Sequence, residues 1–339
     1  MRKKRCLFIL IVCCFACAEK ETEIYQGKRD NVVDVREKLI EIEINDILLN
    51  MSVKPYIFGD YLVILDPLSD DKLIHIFDKD TFEYILSAGQ LGRGPGEIIN
   101  IGPVEFIESN NQMLVTDASK QCVLAYNMDS LLLNPLHFPY IKAKLNEKVR
   151  MGRYVHISDT LCIGQSIEPT SNSTARQYMA KWNMISNAID KMPYEHPDID
   201  IDDKRFIFAV SEKYELYVEC YQYYDLMSIC SLDGKLKYNI YGSSWDPKKS
   251  RKILYYGFDM CFCGKKIIVS YSGKNNVDDS GSYSYPTKFL IFDINGNYIK
   301  TLETGCSIYY FCYDEKNDRV IMSLDDEMQL AYLNLHGLI

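Results

Sequence analysis

Short apolar runs recur along the chain, and none has the period of a helix. They are Tyr61–Leu65, Met113–Thr116, Thr160–Ile163, Glu215–Val218, Lys266–Val269 and Arg319–Met322. Their Val, Ile, Leu and Tyr content is that of buried strands. About 12 to 25 residues after the start of each run comes an apolar or aromatic residue, a small polar one, a variable one and a turn pair. The six copies begin at Phe77, Tyr126, Trp182, Cys230, Phe292 and Leu333, and three of them carry Asp-Gly, Asn-Gly or His-Gly at the turn. Asp-Gly and Asn-Gly are hairpin turns, because both central residues take positive φ. Each copy therefore predicts a hairpin tip.

Successive tips lie 41 to 62 residues apart, close to one four-stranded propeller blade with its loops. Six copies of one strand-and-hairpin unit predict an all-β chain folded as a six-bladed β-propeller over residues 40–339. The nearest approach to a helical pattern, residues 174–190, already contains the Trp182 tip. Ile40–Ile44 alternates strictly between Ile and Glu ahead of the first blade. It is predicted to pair with the last blade and close the ring, leaving no open edge.

The start of the chain reads differently. Arg2, Lys3, Lys4 and Arg5 precede an apolar run from Cys6 to Ala16, and then comes Cys17. That run is too short to span a bilayer and has signal-peptide anatomy. Ala16-Cys17 resembles the cleavage site of a bacterial lipoprotein, with Cys17 as the lipid attachment site and Cys14 as the alternative acceptor. The acidic Glu19-Lys20-Glu21 that follows resembles the surface-export signal of Bacteroidetes lipoproteins. The expected organisation is a signal peptide at 1–16, an anchor and linker at 17–39, and the propeller from 40. The expected location is the outer membrane, periplasmic or facing the cell surface, held only by the lipid. Loss of four basic residues takes the formal charge from −9 to −13. An acidic surface without basic stripes argues against a nucleic-acid partner.

Gly89-Gln90-Leu91-Gly92-Arg93-Gly94-Pro95-Gly96-Glu97 leads into a blade whose second strand ends Leu114-Val115-Thr116-Asp117. This stretch resembles the NHL repeat. Together with the N-terminus, it makes the chain resemble the TolB-like six-bladed propeller lipoproteins of Bacteroidetes. The resemblance implies fold and export, and no settled activity. The glycine-rich stretch lacks the Gly-Lys-Ser/Thr ending of a phosphate loop, and Glu97 would repel phosphate. It reads as a tight inter-blade turn, and Asp117 as a side chain capping its own loop.

Candidate chemistry is sparse. The five histidines are His75, His137, His156, His196 and His336, at least 19 residues apart. NHL-type enzymes use a histidine-rich metal site, so a propeller lyase or hydrolase with its site on the loop face stands as the alternative to a non-catalytic binding protein. Asp198-x-Asp200-x-Asp202 opens like a calcium loop, but Asp203 and Ala209 occupy the positions that need Gly and Glu. No cofactor or metal is expected. Of the 12 cysteines, eight lie beyond Cys17, mostly within apolar runs and without zinc spacing.

Loop lengths point to one face. Blades three and five carry polar insertions, Gln165–Arg176 and Ser270–Thr287. In a propeller these connections share a side with the blade-to-blade loops, and long loops on a rigid scaffold are where binding resides. Tyr221, Tyr223 and Tyr224 on blade four, with Tyr283 and Tyr285 on blade five, are the candidate ligand-binding residues. Tyrosine joins a flat apolar face to a polar tip, which suits a glycan, a peptide or a partner protein.

Overall fold

A computed structural model of the protein describes residues 22–146, 149–158, 160–248, 252–277, 281 and 283–339. Cys17, Cys14 and the signal segment lie outside the described residues.

Three short strands come first: β1 (Glu23–Tyr25), β2 (Val32–Asp34) and β3 (Ile40–Glu41). Blade one is β4 (Lys54–Phe58), β5 (Tyr61–Leu65), β6 (Lys72–Asp78) and β7 (Tyr84–Gln90). Blade two is β8 (Ile101–Ile107), β9 (Gln112–Asp117), β10 (Cys122–Asn127) and β11 (Tyr140–Lys144), with the helix α1 (Met128–Leu133) between its last two strands. Blade three is β12 (Arg150–His156), β13 (Leu161–Pro169), β14 (Ala175–Asn183) and β15 (Ile189–Lys191). Blade four is β16 (Phe206–Ser211), β17 (Leu216–Tyr221), β18 (Leu226–Ser231) and β19 (Leu236–Tyr241). Blade five is β20 (Ile253–Cys263), β21 (Lys266–Asn275), β22 (Lys288–Asp293) and β23 (Tyr298–Glu303). Blade six is β24 (Ser307–Asp314), β25 (Arg319–Asp325), β26 (Leu330–Asn334) and, as its outermost strand, β3.

All six apolar runs seen in the sequence fall in the second strands of the blades. Those strands are buried on both faces, β17 completely so, which explains runs that do not alternate. Six clusters of buried apolar side chains lie among the described residues, one between each pair of neighbouring blades. The ring is thus held by blade-to-blade packing, at about 1.5–3 kcal/mol for each fully buried large side chain.

Closure occurs where the alternation predicted it. Ile40 and Glu41 pair with Tyr332 and Ala331, and the Ile42 N–H donates to Leu330 O at 2.9 Å. Two tips differ from expectation. The Asn127 side chain accepts the Ser130 N–H at 2.9 Å and starts α1, so the second copy is a helix N-cap. The sixth copy follows the last C-terminal strand, whose next neighbour is the N-terminal β3.

The segment expected to be anchor and linker carries structure of its own. β1 lies parallel to β19 at the outer edge of blade four, and β2 lies parallel to β23 at the edge of blade five. Residues 23–41 therefore strap three consecutive blades. Arg29 reaches inward between the first two of them. It meets Asp225 at 2.8 Å and lies over the Phe292 ring at 5.3 Å.

Candidate binding site

In a propeller of this topology the connections from second to third strands, and from one blade to the next, emerge on a common face. Tyr223 comes from the β17–β18 loop, and Tyr283 and Tyr285 from the β21–β22 loop. All three line one cavity of about 300 Å³ with Gln222, Leu254, Phe258 and Asn276. Tyr283 is 67% exposed at its rim. Tyr285 is held edge-on against Tyr309, with ring centres 4.5 Å apart, and beside Phe258 at 6.1 Å. Packing on its aromatic neighbours fixes the ring's orientation, so it forms a wall rather than a free arm. Gln222 donates to the Gly257 carbonyl at 3.1 Å, which ties the blade-four loop to the blade-five inner strand. Aromatic faces with two amide side chains make a surface for rings that carry hydroxyls.

Tyr221 and Tyr224 are not part of this wall. Tyr221 closes β17 and is fully buried, with the Lys204 ammonium 5.5 Å from its ring. Tyr224 is buried beside Trp245, at 6.0 Å between rings. Alternation would have put Tyr221 and Tyr223 on one face had the strand continued, but it ends at Tyr221, and the turn sends Tyr223 outward on its own.

The other loops of this face are occupied by their own side chains. Blade three's insertion extends β13 and β14 to nine residues each rather than forming an open loop. Arg176 near its tip pairs with Asp202 of the acidic run at 2.6 Å. Lys204, 1% exposed, anchors that run by contacts to Glu219 at 2.7 Å and Glu195 at 2.9 Å. No group of three or more potential metal ligands occurs among the described residues. In the glycine-rich stretch, Glu97 folds back and accepts the Gly94 N–H at 2.5 Å, while Lys120 donates to the Gly94 and Glu97 carbonyls. The loop satisfies itself where a phosphate would have to sit. Asp117 accepts the N–H groups of Ile99, Ser119 and Lys120, which is the capping role read from sequence.

A second cavity, of about 340 Å³, lies among the inner strands on the ring axis. Lys54 of blade one, Arg153 of blade three and Asp259 of blade five converge there. Arg153 Nη1 lies 2.5 Å from Asp259 Oδ1, and Lys54 Nζ lies 4.0 Å from the same oxygen. The other Asp259 oxygen accepts the Phe311 N–H at 3.3 Å. Burial, and after it the Arg153 charge, lower the Lys54 ammonium to about 8. Nearby on blade two, burial raises the Glu105 carboxyl to about 8, although it accepts the His156 N–H at 3.1 Å. Sequence reasoning missed this group because its members are scattered over four blades and have no spacing to find. No histidine lines the cavity. His75 faces Ser87 at 2.7 Å inside blade one, and His196, in the connection between β15 and β16, faces Tyr241 at 2.9 Å.

Residues 24–159 match a family model described as a 6-bladed beta-propeller. None of the curated proteins compared with it matches the chain. Among solved structures, a Bacteroides fragilis protein described as a candidate exported protein is 12% identical, with a TM-score of 0.56 over 92% of this chain and 98% of that one. A Bacteroides vulgatus member of the DUF4221 family is 10% identical, with a TM-score of 0.60 over 87% and 97%. Regucalcin, a calcium-binding protein from Agrobacterium tumefaciens, is 9% identical, with a TM-score of 0.54 over 89% and 94%. At such identities the likeness is one of fold. The chain is a six-bladed β-propeller, similar in architecture to Bacteroides proteins of which one is described as a candidate for export.

Proposed function

We propose that the protein is an exported, lipid-anchored binding propeller that grips a glycan on the face bearing Tyr223, Tyr283 and Tyr285. The observation that carries this reading is the convergence of those three rings, from two blades, on one cavity with Gln222 and Asn276. Stacking on tyrosine suits the flat apolar face of a sugar, and the amides suit its hydroxyls. Export through a lipid on Cys17 is supported by the basic, apolar and Ala16-Cys17 pattern, by the resemblance to TolB-like lipoproteins and by the described character of the Bacteroides fragilis neighbour. No helix among the described residues is long and apolar enough to cross a membrane.

Two experiments test the reading. The purified chain is applied to an array of neutral glycans, acidic glycans and peptides. Tyr283→Ala or Tyr285→Ala should weaken a captured glycan by about 1–3 kcal/mol, the loss of one anchor ring. Capture of peptides alone, or capture indifferent to both substitutions, would remove the proposed site. Metabolic labelling with a fatty-acid analogue should mark the native chain and not Cys17→Ser. A mutant that is still labelled moves the anchor to Cys14.

A further inference from the structure

We infer that the axial cavity is an anion subsite that takes the carboxylate of an acidic sugar. The inference rests on the glycan reading above and extends it from the rim to the ring axis.

Consecutive residues of β20 line the two cavities: Phe258 the aromatic one and Asp259 the axial one. A wall of rings joins them. Tyr285 lies 6.1 Å from Phe258, Phe258 lies 6.1 Å from Tyr310, and the Lys54 ammonium stands 4.9 Å from the centre of the Tyr310 ring. A ligand ring stacked on this wall thus has charged groups at its inner end.

Those groups have unused donors. Arg153 donates through Nη1 to Asp259 Oδ1 and to the Phe258 carbonyl at 3.2 Å, and among the described residues its Nε and Nη2 make no hydrogen bond. Among the described residues Lys54 has only the 4.0 Å approach to Asp259 and cation–ring contacts with Tyr56 and Tyr310. The two side chains are 35% and 16% exposed, so both can be reached from the cavity. Arg153 and Lys54 both lean on the buried Asp259, since Glu105 is held toward its neutral form by burial and the cavity's other carboxylate, Glu315, is exposed to solvent. Burial, and after it the neighbouring Arg153 charge, lower the Lys54 ammonium more than Asp259 raises it. A chain with a formal charge of −9 thus keeps two largely buried cations side by side on its axis. A guanidinium with a free edge next to an ammonium matches a carboxylate, which accepts a paired donation from Arg. The volume, about 340 Å³, admits one sugar ring.

The test uses the purified full-length chain and thermal shift with three probes: glucuronate, glucose and inorganic phosphate. Glucuronate should raise the melting temperature in a dose-dependent way, and glucose should not. Lys54→Met, which removes no hydrogen bond, should weaken the glucuronate effect at least tenfold while the unliganded melting temperature stays near native. Arg153→Gln should abolish the effect. Equal stabilisation by glucose, or none by glucuronate, overturns the inference. Equal stabilisation by phosphate also overturns it, by making the site a general oxyanion hole. Tyr283→Ala separates the two claims. If it spares the glucuronate effect but abolishes glycan capture, rim and axis are both upheld. If captured glycans are lost in Tyr283→Ala yet unchanged in Lys54→Met and Arg153→Gln, the rim stands and the anion subsite falls.

Discussion

Blades one and two differ from blades four and five in what their loops do with polar groups. In blades one and two, three loops of the binding face are each gathered around one local carboxylate. Asp66 takes the N–H groups of Asn50 and Leu68, Asp117 takes three, and Glu97 fills the glycine-rich turn. In blades four and five the equivalent task is done from outside. Asp225 accepts Arg29 from the strap as well as the Ser244 N–H, and the neighbouring Tyr223, Tyr283 and Tyr285 are left to face a cavity. A loop that spends its side chains on itself has little left for a ligand. One stabilised by a distant segment keeps side chains free.

That contrast can be broken from either side. The largest effect is expected for Arg29→Ala, which leaves Asp225 buried without its cation. It should cost about 3–5 kcal/mol in chemical denaturation, whereas Arg36→Ala, at an exposed pair with Asp34 on the same strap, should change nothing measurable. An Arg29 variant of native stability would show that the strap is ornamental. Asp117→Ala orphans three N–H groups in blade two and should cost about 3 kcal/mol while leaving glycan capture intact. Gly96→Ala comes next, at about 1–2 kcal/mol. Gly96 has φ +73°, and an added Cβ would run into the Phe138 ring. Loss of capture in either blade-two variant would mean that the two halves are not separable. Smallest is Tyr283→Ala, whose exposed ring should leave the melting curve unchanged within about 0.5 kcal/mol even as it removes binding.

The fold was legible because the second strand of every blade is buried on both sides. Such strands need continuous apolar runs, and those survive in sequence without any turn motif. Turn motifs were less secure, since Asn127-Met128-Asp129-Ser130 serves a helix N-cap as readily as a hairpin. β1 and β2 gave no signal. Three residues, mostly exposed and paired on one edge, need no hydrophobic period. The tyrosine wall was readable in part, because loop length marks a face. Which tyrosines reach that face depends on where β17 stops, and Tyr221 fell just inside it. The axial charges were beyond sequence, being brought together only by closure of the ring.

The strap also sets an order of events. Its hydrogen bonds join residues 216 and 270 positions apart, and the closing region joins residues 280 apart. Contacts so distant in sequence form late, after local hairpins, because the intervening chain must first be confined. Residues 23–41 are made first and dock last. A growing chain holds its own clasp open until blade six has emerged, so the ring closes only once the last blade is made.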